Sequence, residues 1–306
     1  MKNRDFTSIY SHAKLGIVHF MAFPDVLQPG GPVLETIRRI AGDDFFTAVE
    51  ITEIRDETTR REAKKILDAS GLAVGYGSQP IILTQKLNLN AENTEEREKA
   101  IEVIKRSIDE AEFLGAEGLG VMSGPDPGEV RRERQRSLLI DSLKELCGYA
   151  RPRGIDIVLE PFDRDIDKKC LMGPYREVKD LADEIRDSYK NFGIQYDLSH
   201  VPLIREEARE AMETLGDSLR HIHLGNCVTE KGHPAYGDQH PRFGIDGGEN
   251  NVEEVRDFLE ALLDIGFLNT SQRRFVSLEV KPQPGESSEV VIANAKRVLR
   301  EAWTSI

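Results

Sequence analysis

Four short apolar runs in the second half of the chain close on residues able to bind a hard cation: Ile155-Asp-Ile-Val-Leu-Glu160, Gly193-Ile-Gln-Tyr-Asp197, Leu219-Arg-His-Ile-His-Leu224 and Phe275-Val-Ser-Leu-Glu-Val280. Glu160, Asp197, His223 and Glu279 offer three carboxylates and one imidazole, hard oxygen donors plus one nitrogen, which by composition is a divalent-metal site. Asp197-Leu-Ser-His200 adds a second imidazole three residues past its run. Each group also has an ordinary use. Asp-x-x-His occurs in turns where Asp and Ser bond nearby amides, Glu160 before Pro161 can cap a turn, Glu279 can pair with Lys281, and His223 can be a bonded core histidine. Convergence is what separates the two readings. Three carboxylates brought to one point repel, burial makes the repulsion worse, and a bound cation is the simplest remedy. His221, two residues before His223, points the same way at greater depth and is assigned to structure.

Convergence needs an architecture, and the rest of the chain supplies one. Apolar runs predict strands at 15–20, 46–51, 72–76, 118–122, 155–160, 193–197, 219–224 and 275–280. Amphipathic stretches alternate with them. One follows the Pro29-Gly-Gly-Pro32 turn through Leu34, Ile37 and Ile40, and a second at 58–69 is stopped by Gly71. After a long loop, Asn93 with Glu96 forms a capping box for a helix to Leu114, whose apolar residues Ile101, Ile104, Ile108, Ala111 and Leu114 recur at helical spacing. Further helices are expected at 131–150, 178–185, 206–215, 252–263 and 288–303. Eight strand–helix pairs without a linker or internal repeat predict a single-domain (β/α)8 TIM barrel over residues 1–306. In that fold the active site lies at the C-terminal ends of the strands, where the four candidate ligands fall.

Composition bounds the function class. At 306 residues and 39% hydrophobic, the chain can bury a sizeable core. A net charge of −13 argues against a surface built to neutralise phosphates, so no nucleic-acid partner is expected. Cys147, Cys170 and Cys227 are odd in number and far apart, which fits a reducing compartment better than a disulfide framework. The N-terminal stretch Met-Lys-Asn-Arg-Asp-Phe-Thr-Ser lacks the apolar core of a signal peptide, and no apolar run is long enough to span a bilayer. The expectation is a soluble cytoplasmic protein with no membrane partner.

The order Leu159-Glu160-Pro161, Asp197-Leu-Ser-His200, His221-Ile-His223 and Leu278-Glu279-Val280 resembles the xylose isomerase-like barrel superfamily, in particular its sugar and sugar-phosphate isomerase/epimerase branch, which includes the ketose 3-epimerases. The resemblance implies that Glu160, Asp197, His223 and Glu279 ligate a divalent ion, Mn²⁺ before Mg²⁺, Co²⁺ or Zn²⁺. It makes Glu160 and Glu279 acid and base as well, and His200 a substrate contact. The chemistry is coherent: a cation chelating a carbonyl and its neighbouring hydroxyl stabilises the enediolate left when an adjacent C–H is broken. Two opposed carboxylates then give epimerisation, and one shared face gives isomerisation. The implied partner is a small-molecule sugar, and a homo-oligomer (dimer or tetramer) is expected.

The loop after the seventh strand, 227–250, departs from the epimerase pattern. Those enzymes carry an arginine shortly after the seventh-strand histidine, whereas here Cys227, Val228 and Thr229 follow. Arg242, in His240-Pro-Arg-Phe-Gly244, is the expected displaced counterpart, reached through an insertion spanning 232–240. Arg242 and His240, together with His19 and Glu50 near the ends of the first two strands, are the expected substrate-lining residues. Apurinic endonucleases share the barrel and the Asp-x-x-His ending, but resemble a three-zinc site that needs histidines at the ends of strands three and four, where this chain has Gln79 and Ser123. A dehydratase or lyase acting on a keto-sugar or inosose begins with the same proton abstraction and is the principal alternative. A non-catalytic sugar-binding barrel would not need four intact ligand positions.

Overall fold

The apolar runs form β1 (Ala13–Ile17), β2 (Ala48–Ile51), β3 (Ala73–Gly77), β4 (Ala116–Met122), β5 (Asp156–Glu160), β6 (Phe192–Asp197), β7 (Leu219–Gly225) and β8 (Arg274–Glu279) in a computed structural model that describes residues 8–306. The segment Met1–Thr7, part of the stretch read for the lack of an apolar leader, lies outside the described residues. All eight strands are parallel and paired in the order β1-β8-β7-β6-β5-β4-β3-β2. The remaining seam, β1 to β2, closes through Thr47 N–H donating to the Leu15 carbonyl at 2.8 Å and a bridge between Val18 and Glu50. The result is a single-domain (β/α)8 TIM barrel.

Around it lie α1 (His19–Ala22), α2 (Val33–Ala41), α3 (Glu57–Ser70), α4 (Gln79–Gln85), α5 (Thr94–Leu114), α6 (Glu129–Ala150), α7 (Tyr175–Arg186), α8 (His200–Ile204), α9 (Ala208–Leu215), α10 (Val252–Asp264) and α11 (Ser288–Thr304). Local chemistry sets their ends. The Asn93 side chain accepts from Glu96 N–H at the start of α5, and Gly115, at φ 82°, ends that helix in the left-handed conformation that glycine adopts without penalty. Asn251 and Glu254 form a capping box at α10. Among the described residues no helix is long and apolar enough to cross a membrane, and all three cysteines are free and buried.

Three short helices, α1, α4 and α8, were not expected. Each follows directly on a strand end and is too short to show a period in sequence. One expected boundary moves in consequence: the first strand ends at Ile17 rather than residue 20, and His19 opens α1 instead of standing at a strand end.

Inside the barrel, small residues leave space for polar ones. A Cβ on Gly75 would come within 2.9 Å of the Glu50 side chain, and one on Gly120 would meet Gln79 at 2.8 Å and Gln195 at 3.1 Å. These two strand glycines let a carboxylate and two amides occupy the interior beneath the C-terminal mouth.

Candidate metal centre and its lid

Strand register brings the four candidate ligands together. Asp197 lies beside His223 in the β6–β7 ladder, Gly225 beside Glu279 in the β7–β8 ladder, and Glu160 ends β5. Glu160, Asp197, His223 and Glu279 each present one ligand atom, all within 4.8 Å of one another. They are 3%, 1%, 2% and 8% exposed, too buried for three carboxylates to stand without neutralisation.

His223 is oriented from behind. Its Nε2 lies 3.0 and 3.1 Å from the two oxygens of Glu50, so Nε2–H donates to that carboxylate and the Nδ1 lone pair turns toward the centre. There Glu279 Oε2, buried and without a hydrogen-bond partner, lies directly against Nδ1, as two donor atoms of a common ion do. His221 Nε2 meets Glu50 Oε1 at 2.7 Å, giving the deeper histidine the structural place expected for it. Burial pushes the Glu50 carboxyl upward, but the two histidines outweigh it and hold the group well below the usual carboxylate range. Glu50 therefore braces His223, one of the four candidate donors.

The two glutamates differ in proton affinity. Burial, aided by Glu279 and Asp197 against the pull of His200 and His223, raises Glu160 to about 7. At Glu279 burial acts in the same direction, but His240 and His223 outweigh it and bring the carboxyl down to about 2. Gln79 Nε2 donates to Glu160 Oε2 at 2.7 Å, which puts an amide where the endonuclease comparison would require a histidine. Ser123 Oγ accepts from Met172 N–H at 3.0 Å.

Asp197 keeps the turn chemistry that made its motif ambiguous. Oδ1 accepts from Ser199 N–H at 2.8 Å and Oδ2 from Ser199 Oγ at 2.6 Å. The same oxygen lies 3.5 Å from His200 Nε2. Turn and candidate donor are one structure here, because the bonds that shape the turn fix where the carboxylate points.

The loop 226–251 folds over the mouth as a lid. Asn226 Oδ1 accepts from Cys227 and Asn250 N–H at 2.9 and 2.8 Å, its Nδ2 donates to the Arg242 carbonyl at 3.1 Å, and Asn250 Nδ2 donates to the Gly225 carbonyl at 3.0 Å. Lys281 N–H donates to the His240 carbonyl at 2.7 Å, fastening the lid to the chain beyond β8. The lid delivers His240 and Asp238, an aspartate of the insertion that was not among the expected substrate-lining residues. Asp238 Oδ1 lies 2.8 Å from His240 Nε2 and 3.1 Å from His200 Nε2, and its Oδ2 lies 2.8 Å from Lys168 Nζ. Burial pushes both imidazoles down, yet the surrounding carboxylates raise His200 to about 10 and His240 to about 9. Asp-x-His was visible as Asp238-Gln-His240, but nothing in its spacing said that both side chains turn inward.

Two expected substrate residues, Arg242 and His19, have their partners outside the four-donor set. Arg242 Nε pairs with Glu286 Oε1 at 2.9 Å on the lid's rim, with its side chain 38% exposed. His19 Nε2 bonds Thr36 Oγ1 at 2.7 Å, and burial brings the imidazole down to about 4, so it is a neutral packing group. A cleft of about 560 Å³ lined by Phe23, Pro234, Gln239, Lys281 and Glu286 opens at the lid's outer edge, beside the residue that precedes His240.

Comparison with known proteins follows this geometry. Residues 39–302 match the family described as xylose isomerase-like TIM barrel. No curated protein matches the sequence. Among solved structures, a D-tagatose 3-epimerase-like protein superposes with a TM-score of 0.72 at 20% identity, covering 95% of this chain and 97% of its own. The 3-keto-D-glucoside 4-epimerase YcjR of E. coli gives 0.68 at 18% identity over 95% and 99%. The IolI protein with a bound zinc atom gives 0.75 at 14% identity over 95% and 98%. At these identities the likeness is one of fold.

Proposed function

We propose, from the premise that the chain belongs to the xylose isomerase-like TIM-barrel family, that its four-donor centre binds a divalent cation and isomerises or epimerises a keto-sugar or sugar phosphate by moving a proton at the carbon beside the carbonyl. The observation that carries the reading is the buried convergence of Glu160, Asp197, His223 and Glu279, each with one ligand atom within 4.8 Å of the others. Glu160 ends β5 and Glu279 ends β8, so the two carboxyls stand at the two edges of the set, the placement needed for one to take a proton and the other to return it. The donor set fits the cation: three oxygens and one imidazole nitrogen, with a buried Glu279 oxygen lacking any hydrogen-bond partner. Such a set suits Mn²⁺ first, and also Mg²⁺, Co²⁺ or Zn²⁺. When bound, the ion supplies Lewis acidity to the carbonyl and its neighbouring hydroxyl.

The remaining work belongs to the chain. Glu279 takes the proton from carbon, and Glu160, on the far edge of the set, returns one. Their placement on β5 and β8, with β6 and β7 between, sets the two groups on different sides of a substrate held over Asp197 and His223. His200 and His240 form the wall beneath the lid that the substrate's oxygens meet. The lid excludes water, which protects the carbanionic species from quenching by solvent. Neighbours named as epimerases of tagatose and of a keto-glucoside support a sugar as the substrate class.

The test is product analysis. Protein loaded with Mn²⁺ and given a panel of ketoses, ketose phosphates and inososes should form a product of unchanged mass, and Glu279→Gln should lower kcat by ~10²–10⁴. A product lighter by water would replace this reading with the lyase, and no turnover across the panel would remove both.

A further inference from the structure

Acidic residues outnumber basic ones in this chain, which carries a net charge of −13, yet the end of the barrel opposite the metal centre gathers cations. A cavity of about 450 Å³ opens there among the N-terminal ends of the strands. Lys14, Lys190, Arg220, Arg273 and Arg274 stand around it, against two carboxylates, Glu117 and Asp156. Glu117 is taken by Lys14, whose Nζ meets Oε1 at 2.6 Å. The other four basic groups pair with no carboxylate among the described residues. Arg220 Nη1 donates to the Asp217 carbonyl at 3.1 Å, Arg273 Nη1 to the Tyr10 carbonyl at 3.2 Å and Arg274 Nη2 to Gln272 Oε1 at 3.0 Å, all neutral acceptors. Arg274 Nε is buried with no hydrogen-bond partner, and an unmet donor on a charged group is costly.

The guanidiniums also crowd one another. Burial first, and then Arg220, pull Arg186 and Arg274 below the ordinary arginine value, while Asp156 and Asp217 act on them from beyond ion-pair distance. Arg186 has an ordinary use: it lies in the last turn of α7, facing that helix's C-terminal dipole, and its Nη1 donates to the Phe192 carbonyl at 2.6 Å. Arg220 and Arg274 stand on strands and have no such use. The fold nevertheless makes room for them. A Cβ on Gly193, in β6, would come within 2.0 Å of Arg220 Cγ, so the glycine lets that side chain lie across the strand.

We infer that this cavity binds a phosphate group, free or carried by a small metabolite, on Arg220, Arg274 and Lys190. Guanidinium forks match the oxygens of a phosphate, and a doubly charged anion answers several unpaired cations better than a single carboxylate does. The volume lies within the range of small-molecule sites, so an ester fits as well as the bare ion. The cavity and the four-donor centre open at opposite ends of the barrel, which makes the occupant a second ligand and not the molecule held over Asp197 and His223. The site does not depend on the reaction assigned above.

Calorimetry tests it without turnover. The full chain, in a chelator so that no metal holds the anion, is titrated with inorganic phosphate and with a hexose 6-phosphate. One phosphate group per chain should bind, less tightly as salt rises. Arg220→Gln and Arg274→Gln should each weaken binding at least ~10-fold. Lys190→Gln, at an exposed position where folding is not at stake, should weaken it ~2–5-fold, and Arg256→Gln on α10 should leave it unchanged. Tighter binding of the hexose phosphate, weakened by the same variants, assigns the site to a phosphorylated metabolite; equal or weaker binding assigns it to phosphate itself. No binding of either probe, or binding undiminished in both Arg220→Gln and Lys190→Gln, overturns the site and leaves the four-donor reading untouched.

Discussion

His223 shows how much a candidate donor depends on what lies behind it. Glu50, on β2 across the barrel interior, takes its Nε2–H and leaves Nδ1 for the centre. Glu50→Ala should therefore lower affinity for the four-donor ion by ~10–100-fold, measured by competition with a chelating dye, without removing any ligand. Unchanged affinity would mean that His223 is oriented by its own strand alone. The convergence of Glu160, Asp197, His223 and Glu279 was legible because strand ends in a parallel barrel share one face, so residue type and position within a run sufficed. Glu50 was legible as a mouth residue but not as a brace, because its partners lie about 170 residues away in sequence. Asp238 and Arg242 were not legible for a further reason: their direction is set by the hydrogen bonds of Asn226 and Asn250 inside the lid, and a loop has no period from which to read facing.

At the scale of elements, strand and helix order followed from apolar period and capping, while α1, α4 and α8 escaped because one or two turns carry no period. Contacts between elements carry a pH dependence away from the centre. Glu110 on α5 accepts from Ile54 N–H, beyond β2, at 2.7 Å, and burial raises its carboxyl from 4.5 to about 7. A carboxyl with a raised folded pKa contributes stability below 4.5 that is lost as pH climbs through about 7. Glu110→Gln, whose amide oxygen can still accept from Ile54, should remove that loss. Urea unfolding at pH 5 and pH 8 should show the variant gaining on wild type at the higher pH by something on the order of 3 kcal/mol at most. An equal effect at both pH values would show that Glu110 is not the titrating group.

Over the whole molecule, a chain of net charge −13 places a cluster of carboxylates in its interior, so folding and cation binding are linked. An ion at about 100 times its Kd adds ~2.7 kcal/mol to stability, and differential scanning calorimetry should show Tm rising with metal concentration. Asp197→Asn removes one of the repelling charges. The metal-free variant should melt at or above metal-free wild type, and its Tm should respond little to added ion. A metal-free variant melting well below wild type would instead assign Asp197 to the turn it forms with Ser199.

The account rests on proton transfer at carbon, performed by this buried set of groups, and solvent exchange reads that step whether or not a net product accumulates. In D₂O with Mn²⁺ and a ketose panel, wild type should place deuterium on the carbon beside the carbonyl of at least one sugar, while Glu279→Gln with its metal content verified should place little or none. Absence of deuterium in every sugar with the metal-loaded wild type, or equal incorporation by the variant, would contradict it.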